Sequence, residues 1–239
     1  MMTQNDAQPI MVQLKESTRA QHDAAEHGAF NEQLMKGRLP REAYVQSLEQ
    51  LFLIHRALEH HLRRFRTEWS AFDRVLRDDQ FQEPYLREDL GYFGSKVDSI
   101  RPLSSTRKFL ERIESIAATQ PVALLGIHYV FEGSNNGSKF IAKAVRRAYQ
   151  LNDTSGTRYL DPYGDRQTET WKHFKEDMNA CAFTPQETIA ILQAAGDTFL
   201  AVMALHRELY EFVQHSAEAR KPATDMPVGK CPFHHAAMN

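Results

Sequence analysis

Two stretches of the chain hold residues whose types and spacing can do chemistry. The first is Lys15, Arg19, His22 and Glu26, inside a run with helical periodicity from Met11 to about His27. Positions i, i+4, i+7 and i+11 fall on one stripe of a helix. Lys15 and Arg19 disfavour a neighbouring imidazolium, so a neutral His22 can offer a lone pair. Glu26, one turn on, can accept from the other ring nitrogen or from a ligand-bound water. A surface histidine on a charged face has the same spacing, and spacing alone leaves both readings open.

The second stretch is Pro121 to Tyr149, PVALLGIHYVFEGSNNGSKFIAKAVRRAY. Proline suits a first helical turn, where its missing N–H is not needed. Leu124, Ile127, Phe131, Phe140, Ile141 and Val145 recur at helical spacing. Gly126, Gly133 and Gly137 lie on or near one face, with Ser134, Asn135, Asn136 and Ser138 around the last two. An interior glycine costs about 1 kcal/mol relative to alanine. Two of them a turn apart bare the backbone and let the helix bend. A large flat ligand can lie on such a patch. Close helix–helix packing through small residues, or a break between two helices, fits as well.

The elements that must position these residues read as helices throughout, and the fold class is all-α. After Met11–His27, a long helix runs from Arg41 to about Phe65; its His55, His60 and His61 stand among Arg and Glu and read as a solvated face rather than a metal cluster. Residues 66–103 hold shorter helices broken at Pro84, Gly91, Gly94 and Pro102. Ser104-Ser105-Thr106 offers an N-cap for a helix to about Ala118. Asn152 to Gly164 is a loop, and Asp165 to about Cys181 is helical. Thr184 and Glu187 are spaced as a capping box with Pro185 at the first helical position, opening a long final helix. The expected organisation is a polar lead over residues 1–10, one helical domain over 11–216, and a flexible tail over 217–239.

A chain of 239 residues with 42% hydrophobic and 25% charged content can bury a sizeable core. A formal net charge of −2 gives no global electrostatic case for nucleic acid. The uncharged run Ser115–Phe131 is too short and interrupted to span a bilayer, and the start MMTQNDAQP has no basic, apolar pattern of a secretion signal. Cys181 and Cys231 read as thiols in a reducing cytoplasm. Nothing demands a dimer, so the expectation is a monomer.

The run LKESTRAQHDAAEHGAFNEQLMKG, Leu14 to Gly37, resembles the first helix of the heme oxygenase family, with its L-K-E-x-T-x-x-x-H-x-x-A-E pattern. The run YVFEGSNNGSKFI, Tyr129 to Ile141, resembles that family's glycine-bearing distal helix in its bacterial E-G-S-N-x-G form. WKHFKEDMNACAFTPQE and the helix after it resemble the last two helices. The match covers most of 11–215, in order.

The resemblance implies a heme oxygenase-like helical bundle with a kinked distal helix. His22 is then the proximal ligand of heme iron. Gly133 and Gly137 let backbone approach the iron-bound oxygen, with Ser134 and Asn136 beside them. Lys15, Arg19 and Lys175 pair with heme propionates, and Glu26 matches the acid after the ligand. His128 stands near the place of an aromatic propionate contact, or is a buried structural histidine. Heme is both substrate and cofactor: with O2 and electrons from a ferredoxin or an NAD(P)H-dependent reductase, it is cleaved at a meso carbon to biliverdin, CO and ferrous iron. A neutral imidazole suits this route better than a thiolate.

The chain departs from the animal and cyanobacterial pattern at Ser134, where an aspartate organises pocket water. In the tail, Cys231-Pro232 resembles a Cys-Pro heme motif and offers a second heme contact. Two other classes compete with heme degradation, and a third is weaker. A heme-binding carrier or sensor fits the same residues without turnover. A two-iron helical enzyme wants Glu-x-x-His pairs, which the chain lacks. A vitamin-processing hydrolase of similar fold needs a nucleophilic cysteine, and Asp177, one turn before Cys181, disfavours that thiolate.

Overall fold

The computed structural model describes residues 8–219. Nine α-helices follow one another among these residues: α1 (Ile10–Glu26), α2 (Ala29–Met35), α3 (Arg41–Arg66), α4 (Ser70–Val75), α5 (Glu83–Tyr92), α6 (Ser104–Thr119), α7 (Leu124–Tyr149), α8 (Gln167–Asn179) and α9 (Pro185–Ala219). Short 3-10 turns link several of them, and no strand occurs among the described residues. The all-α expectation holds.

Helix α9 is the axis of the domain: α1, α2, α6 and α7 all pack against it. Over Pro185–His215 it is also the one described helix long and apolar enough to cross a membrane by length and composition, with mean hydropathy 1.6. The capping box at its start is formed: the Thr184 N–H donates to Glu187 Oε2 at 2.8 Å, and the Glu187 N–H donates to Thr184 Oγ1 at 3.2 Å. Helix α1 buries Ile10, Met11, Leu14 and Thr18. Its start is tied down from a distance, the Met11 N–H donating to Asn179 Oδ1 at the end of α8 (3.1 Å).

Several boundaries differ from expectation. The chain is already helical at Ile10 and still helical at Ala219; residues 1–7 and 220–239 lie outside the described residues. Pro121–Ala123 is a 3-10 turn before α7 rather than its first α-turn. Helix α6 is not capped by its own serines: the Glu208 carboxylate on α9 accepts the N–H groups of Ser104 (3.0 Å) and Ser105 (2.8 Å).

The segment 152–164 is irregular, as expected, but its second half is buried. Thr157, Tyr159, Leu160 and Tyr163 are all in the interior. Buried backbone needs partners, and here Asp89 accepts from the N–H groups of Arg158 and Tyr159, both at 2.9 Å. The Tyr44 hydroxyl donates to Gly156 O at 2.8 Å. Gly156 has φ +80° beneath Phe93, whose ring a Cβ would meet at 2.7 Å, so only glycine fits.

Candidate functional site

Flanking the buried face of Leu14 and Thr18, α1 carries Lys15, Arg19, His22 and Glu26, all exposed. Gln21 packs near Gly196 of α9, its Nε2 3.7 Å from where a Cβ would stand, which fixes the rotation of α1. The His22 ring meets Phe199 of α9 edge-on, centroids 5.9 Å apart and planes at 72°. Its side chain is 54% exposed, with Nδ1 3.7 Å from Asp23 Oδ1 and Nε2 3.7 Å from Glu26 Oε1. Both separations exceed hydrogen-bond length, so neither ring nitrogen is committed. Among the described residues Lys15, Arg19 and the exposed Lys175 of α8 enter no ion pair, whereas Lys172 reaches Glu176 at 3.8 Å.

Helices α1 and α7 approach where Thr18 and Tyr129 meet. Burial raises the Tyr129 phenol pKa, and the neighbouring Thr18 hydroxyl, which itself donates to Leu14 O at 2.7 Å, pulls it back. His22 is one turn beyond Thr18, and Gly133 one turn beyond Tyr129. The three glycines of α7 share a stripe but meet different surroundings. A Cβ on Gly126 would stand 2.1 Å from the Ile191 carbonyl oxygen of α9, so this glycine serves helix–helix packing. A Cβ on Gly133 would meet Trp171 Cη2 at 3.3 Å, and one on Gly137 would meet nothing within 4 Å. The stripe runs from close packing to open space, with the indole of Trp171 at the threshold. Trp171 is stacked on Phe174, centroids 5.3 Å apart and planes at 11°.

The polar residues around these glycines bond to their own helix. Ser134 Oγ donates to Phe131 O (2.7 Å), Asn136 Nδ2 to Gly133 O (2.9 Å) and Ser138 Oγ to Ser134 O (2.8 Å). Asn136 Oδ1 accepts from Gln167 Nε2 at 3.3 Å, joining the distal stripe to the start of α8. Ser134 and Asn136 thus shape the backbone before they offer anything to a ligand.

The profile of the heme oxygenase family matches residues 8–208. The chain belongs to the heme oxygenase family. Heme oxygenase 2 of Rattus norvegicus is 24% identical over 234 residues, spanning 93% of this chain and 74% of the relative. The structure of heme oxygenase-1 from Synechocystis in complex with heme superposes with a TM-score of 0.81 at 21% identity, covering 88% of this chain and 96% of that one. Heme oxygenase from Leptospira interrogans gives 0.78 at 25% identity, covering 84% and 99%. The chain is therefore an enzyme of heme degradation, built on the all-α heme oxygenase fold.

The residues present fit a heme. An uncommitted imidazole, bare backbone with open space at Gly137, and unpaired cations on α1 and α8 answer to iron, a flat macrocycle and two carboxylates. Trp171 against Gly133 is the one group crowding the glycine patch. His128 lies elsewhere: it is 4% exposed, its Nε2 is 3.4 Å from Gln80 Oε1, and it meets Phe174 edge-on. Burial lowers its pKa to about 4, so it is neutral. That matches a buried structural histidine rather than a propionate contact at the cleft. Cys231 lies outside the described residues.

Two histidines expected on a solvated face are buried instead. His55 is 2% exposed, with Nδ1 3.1 Å from Glu59 Oε1 and Nε2 3.2 Å from the Tyr159 hydroxyl. His61 is 8% exposed and bonded to Glu114 at 3.0 Å. No group of three or more His, Cys, Asp or Glu converges as a metal site among the described residues. The Cys181 thiol donates to Asp177 O at 3.3 Å, and burial raises its pKa, which keeps it unreactive. An open surface groove of about 880 Å³ lies away from α1 and α7, lined by Arg63, Arg66, Trp69 and Phe81 among others. Arg66 there is matched by Asp73 and Asp78, so the groove offers no unpaired charge of its own from that residue.

Glu132 is the functional candidate that sequence reading passed over, although it stands inside the E-G-S-N-x-G run. It is 1% exposed, and burial raises its pKa to about 7. The available signal was the polar series His128, Glu132, Asn135 at i, i+4, i+7 on a helix otherwise apolar at that face.

Proposed function

We propose that this enzyme cleaves heme at a meso carbon to biliverdin, CO and ferrous iron, consuming O2 and electrons from a ferredoxin or an NAD(P)H-dependent reductase. The observation that carries the reading is the uncommitted His22 imidazole, on a stripe with unpaired Lys15 and Arg19, beside a helix stripped of side chains at Gly133 and Gly137. Bound heme supplies the iron that activates O2 and the porphyrin that is oxidised.

His22 would hold the heme iron, its ring steadied edge-on by Phe199. Glu26 at 3.7 Å is placed to orient the imidazole through its second nitrogen once the first is engaged. Lys15, Arg19 and Lys175 would hold the two carboxylates of a bound heme. Gly137 would leave room for the ligand's distal face, with Trp171 against Gly133 at the edge of that space. Asn136, tied to Gly133 O and to Gln167, holds that backbone in place. The enzyme acts as a monomer.

A single-turnover reaction tests this reading: one equivalent of hemin, a reductant and air. Growth of biliverdin absorbance with release of one CO per heme supports it. Porphyrin that stays intact through reduction and O2 exposure contradicts it.

A further inference from the structure

The turn of α7 between Gly133 and Gly137 has one closed end and one open end. A Cβ on Gly133 would find the edge of the Trp171 indole, with Cη2 at 3.3 Å, Cζ3 at 3.8 Å and Cζ2 at 3.9 Å. A Cβ on Gly137 would find nothing within 4 Å, and Gly137 is exposed. The two positions are about 6 Å apart along the helix axis. A rigid flat ring laid along this stripe meets the indole at one end and open space at the other.

The indole is held on several sides. It stacks on Phe174, centroids 5.3 Å apart and planes at 11°. Phe174 is itself 1% exposed and meets the buried His128 edge-on at 5.6 Å, so the core backs the stack. Tyr129, one turn before Gly133, flanks the indole at 5.9 Å and 35°. The helix that carries Trp171 is tied to the same turn of α7. Gln167, one turn before Trp171 and 3% exposed, donates from Nε2 to Asn136 Oδ1 at 3.3 Å. A ring packed in this way is a wall rather than a gate. The exposed Lys175 follows one turn further along α8, so the wall and a cation for a carboxylate belong to one helix.

We propose that Trp171 is a positioning residue for heme: its Cη2 edge closes the slot at Gly133, and the macrocycle is seated toward Gly137 with its rim against the indole. This rests on the proposed function. Heme carries its two propionates on one side and an unsymmetrical set of methyl and vinyl groups around the rest. Turning it over about the axis between the propionates keeps both carboxylates in place and exchanges methyls with vinyls. Cations on the propionates do not tell these two seatings apart. An aromatic wall at one end of the slot does, because different rim groups press on it in each.

The test reads seating without turnover. Proton NMR of the ferric hemin–cyanide complex resolves the heme methyl signals of each seating. Trp171→Ala should change the ratio of the two seatings about two- to tenfold, the worth of one aromatic contact. Trp171→Phe separates reach from packing. Its ring can still stack on Phe174 but falls short of the Cη2 position. It should change the ratio in the same direction as Trp171→Ala, while the heme-free melting temperature stays near wild type. Wild-type ratios in both variants overturn the proposal. So does a changed ratio in Trp171→Ala alone, which follows from lost packing on Phe174. A protein that binds hemin but leaves it intact contradicts the proposed function and still yields the ratio. One that binds no hemin defeats both.

Discussion

The Trp171 indole covers Gly133: its Cη2 is 3.3 Å from the point a Gly133 Cβ would occupy, whereas a Cβ at Gly137, one turn on, would meet nothing within 4 Å. The two glycines are therefore spared side chains for different reasons. At Gly133 a protein group already uses the bare backbone. At Gly137 none of the described residues does, which leaves that stretch of backbone open.

Gly137→Ala separates folding from binding for that reason. In heme-free protein the methyl is unopposed and the helix gains up to about 1 kcal/mol from alanine's propensity. The melting temperature should rise or stay level. Hemin affinity and porphyrin loss should both fall, because the methyl enters the space of the macrocycle. Calorimetry of the heme-free variant and a hemin titration check both halves.

Gly126→Ala should do the reverse. Its Cβ would stand 2.1 Å from the Ile191 carbonyl oxygen, which is backbone and cannot turn aside. Overpacking of this kind costs about 1–3 kcal/mol. Thermal unfolding should show the loss before any hemin is added.

The cations of α1 and α8 predict salt-dependent hemin binding. Lys15, Arg19 and Lys175 are exposed, so each charge removed by Lys15→Gln, Arg19→Gln or Lys175→Gln should weaken hemin binding only about two- to fivefold. The differences should shrink at high ionic strength. Titrations at low and high salt measure this.

Asp89 predicts a pH signature of stability. It is fully buried, and burial raises its pKa from 3.8 to about 6 despite two backbone N–H donors. A carboxyl with a raised folded pKa contributes stability that is present below pH 3.8 and lost as pH rises through 6. His128 opposes it: its folded pKa is lowered from 6.5 to about 4, so its contribution is lost as pH falls from 6.5 toward 4. The wild-type curve is flattened between these limits. Asp89→Asn removes the Asp89 share alone, so its stability relative to wild type should improve from about pH 4 to 6 and then level off. Denaturant unfolding across that range measures it.

The shared exposed stripe of Lys15, Arg19, His22 and Glu26 was legible because its logic is local: spacing alone puts the four together on one helix. The same holds for the Thr184–Glu187 capping box. What escaped depended on partners far along the chain. His55 looked solvated among Arg and Glu, yet Tyr159, 104 residues on, gives it a buried partner. Glu132 finds Tyr163, 31 residues on, in a stretch read only as loop. Ser104 looked like a cap because no local pattern shows Glu208 arriving from α9. Gly126 and Gly133 read alike in sequence, since helical spacing records a shared face but not what lies against each turn of it.

The most direct test of the central claim is a single-turnover reaction of wild type and His22→Ala side by side, each with one equivalent of hemin, reductant and air. Wild type should lose its Soret band as a broad red biliverdin band grows. His22→Ala should fail to do so until free imidazole is added, which restores the axial ligand. Equal porphyrin loss in both proteins, with no effect of imidazole, would contradict the assignment of His22 as the ligand on which heme degradation depends.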